Sequence, residues 1–79
     1  MRNFLKTDLE SLINSGVFNE MVVMDLERLD RNVTMMVFRY EDRFYETCYG
    51  NPSDYGYFPN CGVEVPCEEV FPEIVYKRK

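Results

Sequence analysis

Three kinds of side chain in this sequence could do chemistry: thiols, carboxylates and a crowd of aromatic rings. Imidazole is missing, because the 79-residue chain has no histidine. Histidine is the commonest general acid or base near neutral pH, so serine–histidine and cysteine–histidine pairs are excluded outright. The thiols are Cys48, Cys61 and Cys67, with no C-x-x-C pair. Zinc held by three thiolates and a carboxylate is the one metal site they suggest, but spacings of 13 and 6 fit no common zinc motif. Cys61 and Cys67 would close a small loop if oxidised, provided their Cα atoms lie near enough. An odd cysteine count, with no apolar leader in Met1-Arg2-Asn3-Phe4-Leu5-Lys6, points to reduced thiols and a cytoplasmic setting.

A carboxylate pair can act on glycosides, yet no pair stands out and so short a chain hardly builds a substrate cleft. Neither G-x-G-x-x-G nor a Walker loop is present. The expectation is therefore no enzyme, no cofactor and no metal.

Rings and acids share one half of the chain. Eight of the twelve aromatic residues lie between positions 38 and 58. Residues 1–40 hold five bases and six acids. Residues 41–76 hold one base, Arg43, against eight acids, a net −7, before Lys77-Arg78-Lys79 adds +3 and leaves −5 overall. Such a half repels phosphate backbones, so free DNA or RNA is not an expected ligand. The acidity serves solubility, or it forms a surface complementary to a basic partner. The stretch Asp54-Tyr55-Gly56-Tyr57-Phe58-Pro59-Asn60 sets rigid rings among small polar residues, a composition enriched at protein-binding surfaces. It also suits a lid folded over a small core. On the binding reading, Tyr55, Tyr57 and Phe58 are the anchors, and Asp54, Glu68 and Glu69 supply electrostatic steering.

The elements that must position these groups follow from periodicity. Leu5, Leu9, Leu12 and Ile13 form one apolar stripe and predict a helix over residues 3–15, with Thr7-Asp8-Leu9-Glu10 as a capping box and Ser15-Gly16 as its stop. Val22, Met24 and Leu26 alternate with Val23, Asp25 and Glu27, as in a half-buried strand. The run Val33-Thr34-Met35-Met36-Val37-Phe38 is apolar on both faces, as a central strand would be. Pairing about a centre at 30–31 sets Leu26 opposite Met35 and Met24 opposite Val37. A second hairpin turns at Glu41-Asp42 into a strand from Arg43 to about Tyr49. Residues 50–66 read as loop, rich in Gly, Pro, Asn and Asp. Val70 to Tyr76 reads as an edge strand, because Pro72 lacks a backbone donor. The fold class expected is α+β: one domain over 1–79, an N-terminal helix packed on a small antiparallel sheet of three to four strands. No apolar run approaches the ~18 residues of a membrane span.

The stretch Phe38-Arg39-Tyr40-Glu41-Asp42-Arg43-Phe44-Tyr45-Glu46, with a closing segment Val70-Phe71-Pro72-Glu73-Ile74-Val75-Tyr76, resembles small accessory proteins of bacteriophages and integrated elements, especially of Gram-positive hosts. The resemblance spans roughly residues 33–76. It implies a phage protein acting in the host cytoplasm, some of whose kind inhibit host defence enzymes, CRISPR nucleases included. The functional expectation is an acidic interaction protein that binds and inhibits a basic protein. The alternative is a structural homodimer that associates through its aromatic face.

Overall fold

The computed structural model describes residues 1–50, 56–59 and 61–71. Its elements are β1 (Arg2–Leu5), α1 (Lys6–Ser15), β2 (Val17–Phe18), β3 (Met21–Asp30), β4 (Val33–Tyr40), β5 (Arg43–Gly50) and β6 (Glu64–Val70). Every strand pairing is antiparallel, in the spatial order β1-β6-β5-β4-β3-β2. The expected helix on a three-to-four-strand sheet is thus replaced by a mostly β fold. One short helix accompanies a six-strand sheet curled into a half-barrel.

The discrepancy begins at Phe4. Residues 3–5 leave the expected helix and, with Arg2, form a strand on β6, Arg2 opposite Cys67 and Phe4 opposite Val65. That places the Phe4 ring edge-on to Phe38, Tyr40 and Tyr45, with centroids 5.1, 5.6 and 5.0 Å away. Edge-to-face aromatic pairs contribute about 0.5–1.5 kcal/mol each beyond their buried area. A fourth-residue start to a helix offers nothing comparable. The helix therefore opens at Lys6, with Leu5 as an uncapped N-cap, and the Thr7–Glu10 capping box goes unused. Gly16 ends it at φ 83°, donating its amide to the Leu12 carbonyl at 2.7 Å. Leu9 and Leu12 are fully buried beneath the sheet, whereas Leu5 is exposed.

Two hairpins turn on residue pairs with both φ values positive, Asn19-Glu20 and Glu41-Asp42. This is the backbone a tight two-residue hairpin requires, here adopted without glycine. The β4–β5 register is unbroken from Val33↔Gly50 to Tyr40↔Arg43. The β3–β4 register is not. Val22↔Arg39 and Val23↔Phe38 follow the expected pairing, but shifts between Val23 and Asp25 and between Arg28 and Asp30 carry Leu26 onto Met36 and Asp25 onto Val37. Met24 and Leu29 are the extra residues. Each bulge moves the following side chains by one position.

Strand β6 begins inside the expected loop, at Glu64–Pro66, and runs to Val70 between β5 and β1. Its two halves have different partners: Glu64–Cys67 pair with β1, and Glu68–Val70 with β5. Pro66 sits in the half registered on β1 alone, so its missing donor leaves no ladder broken on the other side. The expected edge strand beyond Phe71 lies outside the described residues. Among the described residues, no helix is long and apolar enough to cross a membrane.

Candidate protein-binding face

In an antiparallel sheet, residues directly opposite one another point to the same side. The concave side carries Phe38, Tyr45, Met36, Thr47 and Val65, all buried, and is closed by Phe4, α1 and Phe58. The convex side is then fixed by register. Asp25, Val37, Glu46 and Glu68 form one row across four strands. Glu27, Met35 and Cys48 form the next row toward the β3–β4 turn, and Val22, Arg39, Phe44 and Val70 the row on the other side. Val33, Met35 and Val37 make a half-buried apolar ridge down β4. Asp25 and Glu27 flank the ridge on β3. Glu46 and Glu68 flank it on β5 and β6.

The ion pairs of the described residues are Arg2–Glu41 at 3.6 Å and Arg43–Glu69 at 3.0 Å, so none engages those four acids. Glu46 and Glu68 stand directly opposite each other, a like-charge pair that is destabilising in an isolated sheet. No described element covers this side. An open groove of about 650 Å³ adjoins it at the β4–β5 turn, walled by Glu41, Asp42, Arg43, Phe44, Glu69, Val70 and Phe71.

The expected site residues are not assembled here. Asp54 and Tyr55 lie outside the described residues. Phe58 is 4% exposed and belongs to the core. Tyr57 is half-buried; its hydroxyl donates to Asn14 Oδ1 at 2.8 Å and its ring meets Tyr49 at 5.4 Å. Backbone bonds from Gly50 N to Tyr57 O and from Cys61 N to Phe58 O pin this segment down. It behaves as the lid, the other reading left open above. Glu69 points to the concave side beside Tyr45 and accepts from Arg43 Nη1 at 3.0 Å. Glu68 alone is exposed on the convex face. The residues that sequence reasoning missed are Asp25, Glu27 and Glu46, and their signal was β4 itself: a strand apolar on both faces needs two covers.

The three thiols are separate in character. Cys48 is exposed on the convex side, Cys61 is half-buried and Cys67 is buried. Burial pushes the Cys67 thiol up to about 11, against a smaller lowering by its bond with Thr47. Burial also raises the Tyr49 hydroxyl, with Tyr57 adding to it and Thr34 opposing. No group of three or more metal-ligating side chains occurs among the described residues. No family model, curated protein or solved structure matches this chain.

Proposed function

We propose that this protein is an interaction module that binds a basic surface of a protein partner in the cytoplasm through the convex face of its sheet. One observation carries the reading: four acids without an ion-pair partner among the described residues, Asp25, Glu27, Glu46 and Glu68, surround an apolar ridge that no described element covers. Apolar centres ringed by charge supply contact area and steering respectively. Inhibition of a nucleic-acid-binding host protein, such as a defence nuclease, is the form this takes if the phage resemblance is genuine. The acids would then compete with phosphate for the same basic groove.

The test is affinity isolation from the native host with the intact protein, followed by kinetics on any stoichiometric partner. The double variant Glu46→Lys/Glu68→Lys should lose at least tenfold in affinity, mainly through on-rate, while Glu20→Lys on the β2–β3 turn leaves it unchanged. A partner held equally by all three proteins at low salt, where charge is least screened, would refute the convex face as the site.

A second reading, self-association, has its own support. Val17, Phe18, Met24, Leu26 and Leu29 are between 37% and 59% exposed along the β2–β3 edge. A two-strand ladder of β3 on its own copy is nonetheless disfavoured. Between the bulges, every two-fold register sets Asp25, Glu27 or Arg28 opposite itself, or Asp25 opposite Glu27. Sedimentation equilibrium decides: a dimer that dissociates on Leu26→Lys favours this reading, and a monomer removes it.

A further inference from the structure

We infer that the occupant of the convex face is an amphipathic basic α-helix lying along β4. This rests on the protein-binding reading above and names the partner's form. Strands that are apolar on both sides belong to layered folds in which both sides are covered. Strand β4 has that composition, yet only Met36 and Phe38, on its concave side, are fully buried. The convex ridge of Val33, Met35 and Val37 therefore lacks its second layer among the described residues.

The dimensions select the layer. Alternate residues of a strand lie roughly 6.6 Å apart, so the ridge runs about 13 Å, and about 20 Å with the Arg39–Phe44–Val70 row included. That length matches about three turns of helix, some 12 residues at ~1.5 Å each. Strands are ~4.8 Å apart, so the acids on β3 and those reaching β6 are separated by ~14 Å. A helix ~10 Å across, seated on the ridge, would drop lysine or arginine side chains to both flanks. A strand added to the free edge of β3 would lie four strand spacings from Glu68 and could not reach it. A second copy is disfavoured too, since four acids would meet four acids. The fitting sequence has apolar residues at i, i+3, i+4 and i+7 with bases on either side.

The probe is a blocked 14-residue peptide of leucine and lysine with leucines at helical spacing. Its control is an isomer of identical composition in strict alternation. Titration is followed by calorimetry and by amide shifts of the labelled full chain. The helical order should bind at least tenfold more tightly and shift the amides of Val33, Met35, Val37 and Glu46. Met35→Lys, half-buried and outside the core, should abolish that preference while leaving the circular dichroism of the fold unchanged; a preference that survives it overturns the helix seat. Equal affinity for the two orders would show attraction by charge alone and would overturn the helix while leaving the protein-binding reading intact. Preference for the alternating order would replace the helix by a strand. Failure of both peptides, where the isolated host partner still binds, overturns the helix alone. A dimer dissociated by Met35→Lys would put a second copy on the face and overturn both.

Discussion

The two sides of this one sheet carry apolar side chains in comparable number but are covered unequally. On the concave side, Phe4, Phe38, Tyr45 and Phe58 interlock under a helix, and little of them reaches solvent. On the convex side, Val33, Met35 and Val37 stay half-exposed among carboxylates. The contrast teaches that rings crowded in one stretch of so small a domain can be spent on its core, as Phe58 is. A chain of this size buries only roughly 60% of the surface it could, and its largest rings are drawn into closing the core. What remains on the convex side is mostly aliphatic and acidic, with Arg39 and Phe44 in one row.

Four predictions break or sharpen that contrast. The largest effect is expected at Phe38→Ala, which should destabilise by about 3–5 kcal/mol in denaturant melts, against about 1 kcal/mol or less for its neighbour Val37→Ala. Equal losses would mean that the two sides are equally buried. Next is thiol reactivity. With its folded value near 11 against an ordinary 9.0, Cys67 should hold ~100-fold less thiolate at neutral pH than an unperturbed thiol and be alkylated last, with Cys48 first. The linked stability effect has a definite sign. Because folding raises this value, the contribution is intact below pH ~9 and is lost as pH climbs toward 11, a slope that Cys67→Ala should flatten.

Smaller still, Gly56→Ala should cost about 1–2 kcal/mol. Gly56 has φ 83°, and an added Cβ there would collide with the Glu10 carboxylate, whereas Gly62→Ala meets nothing within 4 Å and should change little. The smallest effect is on the convex side. Glu46→Gln relieves the opposition to Glu68 and should raise stability by about 0.2–1 kcal/mol, less at high salt. A loss of stability there would show that the acid row is held by something within the fold.

Local elements were legible wherever the signal was local. Gly16 stops the helix because glycine takes the left-handed conformation cheaply, and the Glu41-Asp42 turn is a polar pair between two strand-forming runs. The candidate site was legible only in outline. Its acidity was visible in composition, and Glu68 was named, but Glu46 had no local mark, and of the aromatic stretch Tyr57 and Phe58 pack onto the core. In β3, nothing in Met24 or Leu29 signals a bulge, and each bulge turns the residues after it to the opposite side.

By itself, then, the sequence determined the lack of any imidazole, the acidity of the C-terminal half, the helix stop and the β4–β5 hairpin. Each depends on residue type or on neighbours within a few positions. Only the tertiary structure decided that Phe4 leaves the helix for a strand on β6, that Tyr57 and Phe58 close the core, and that Asp25, Glu46 and Glu68 share a row. Those outcomes depend on partners more than sixty residues away, such as Arg2 with Cys67. Such pairings are selected by the burial gained when the sheet curls on itself, a quantity that no short window of sequence contains.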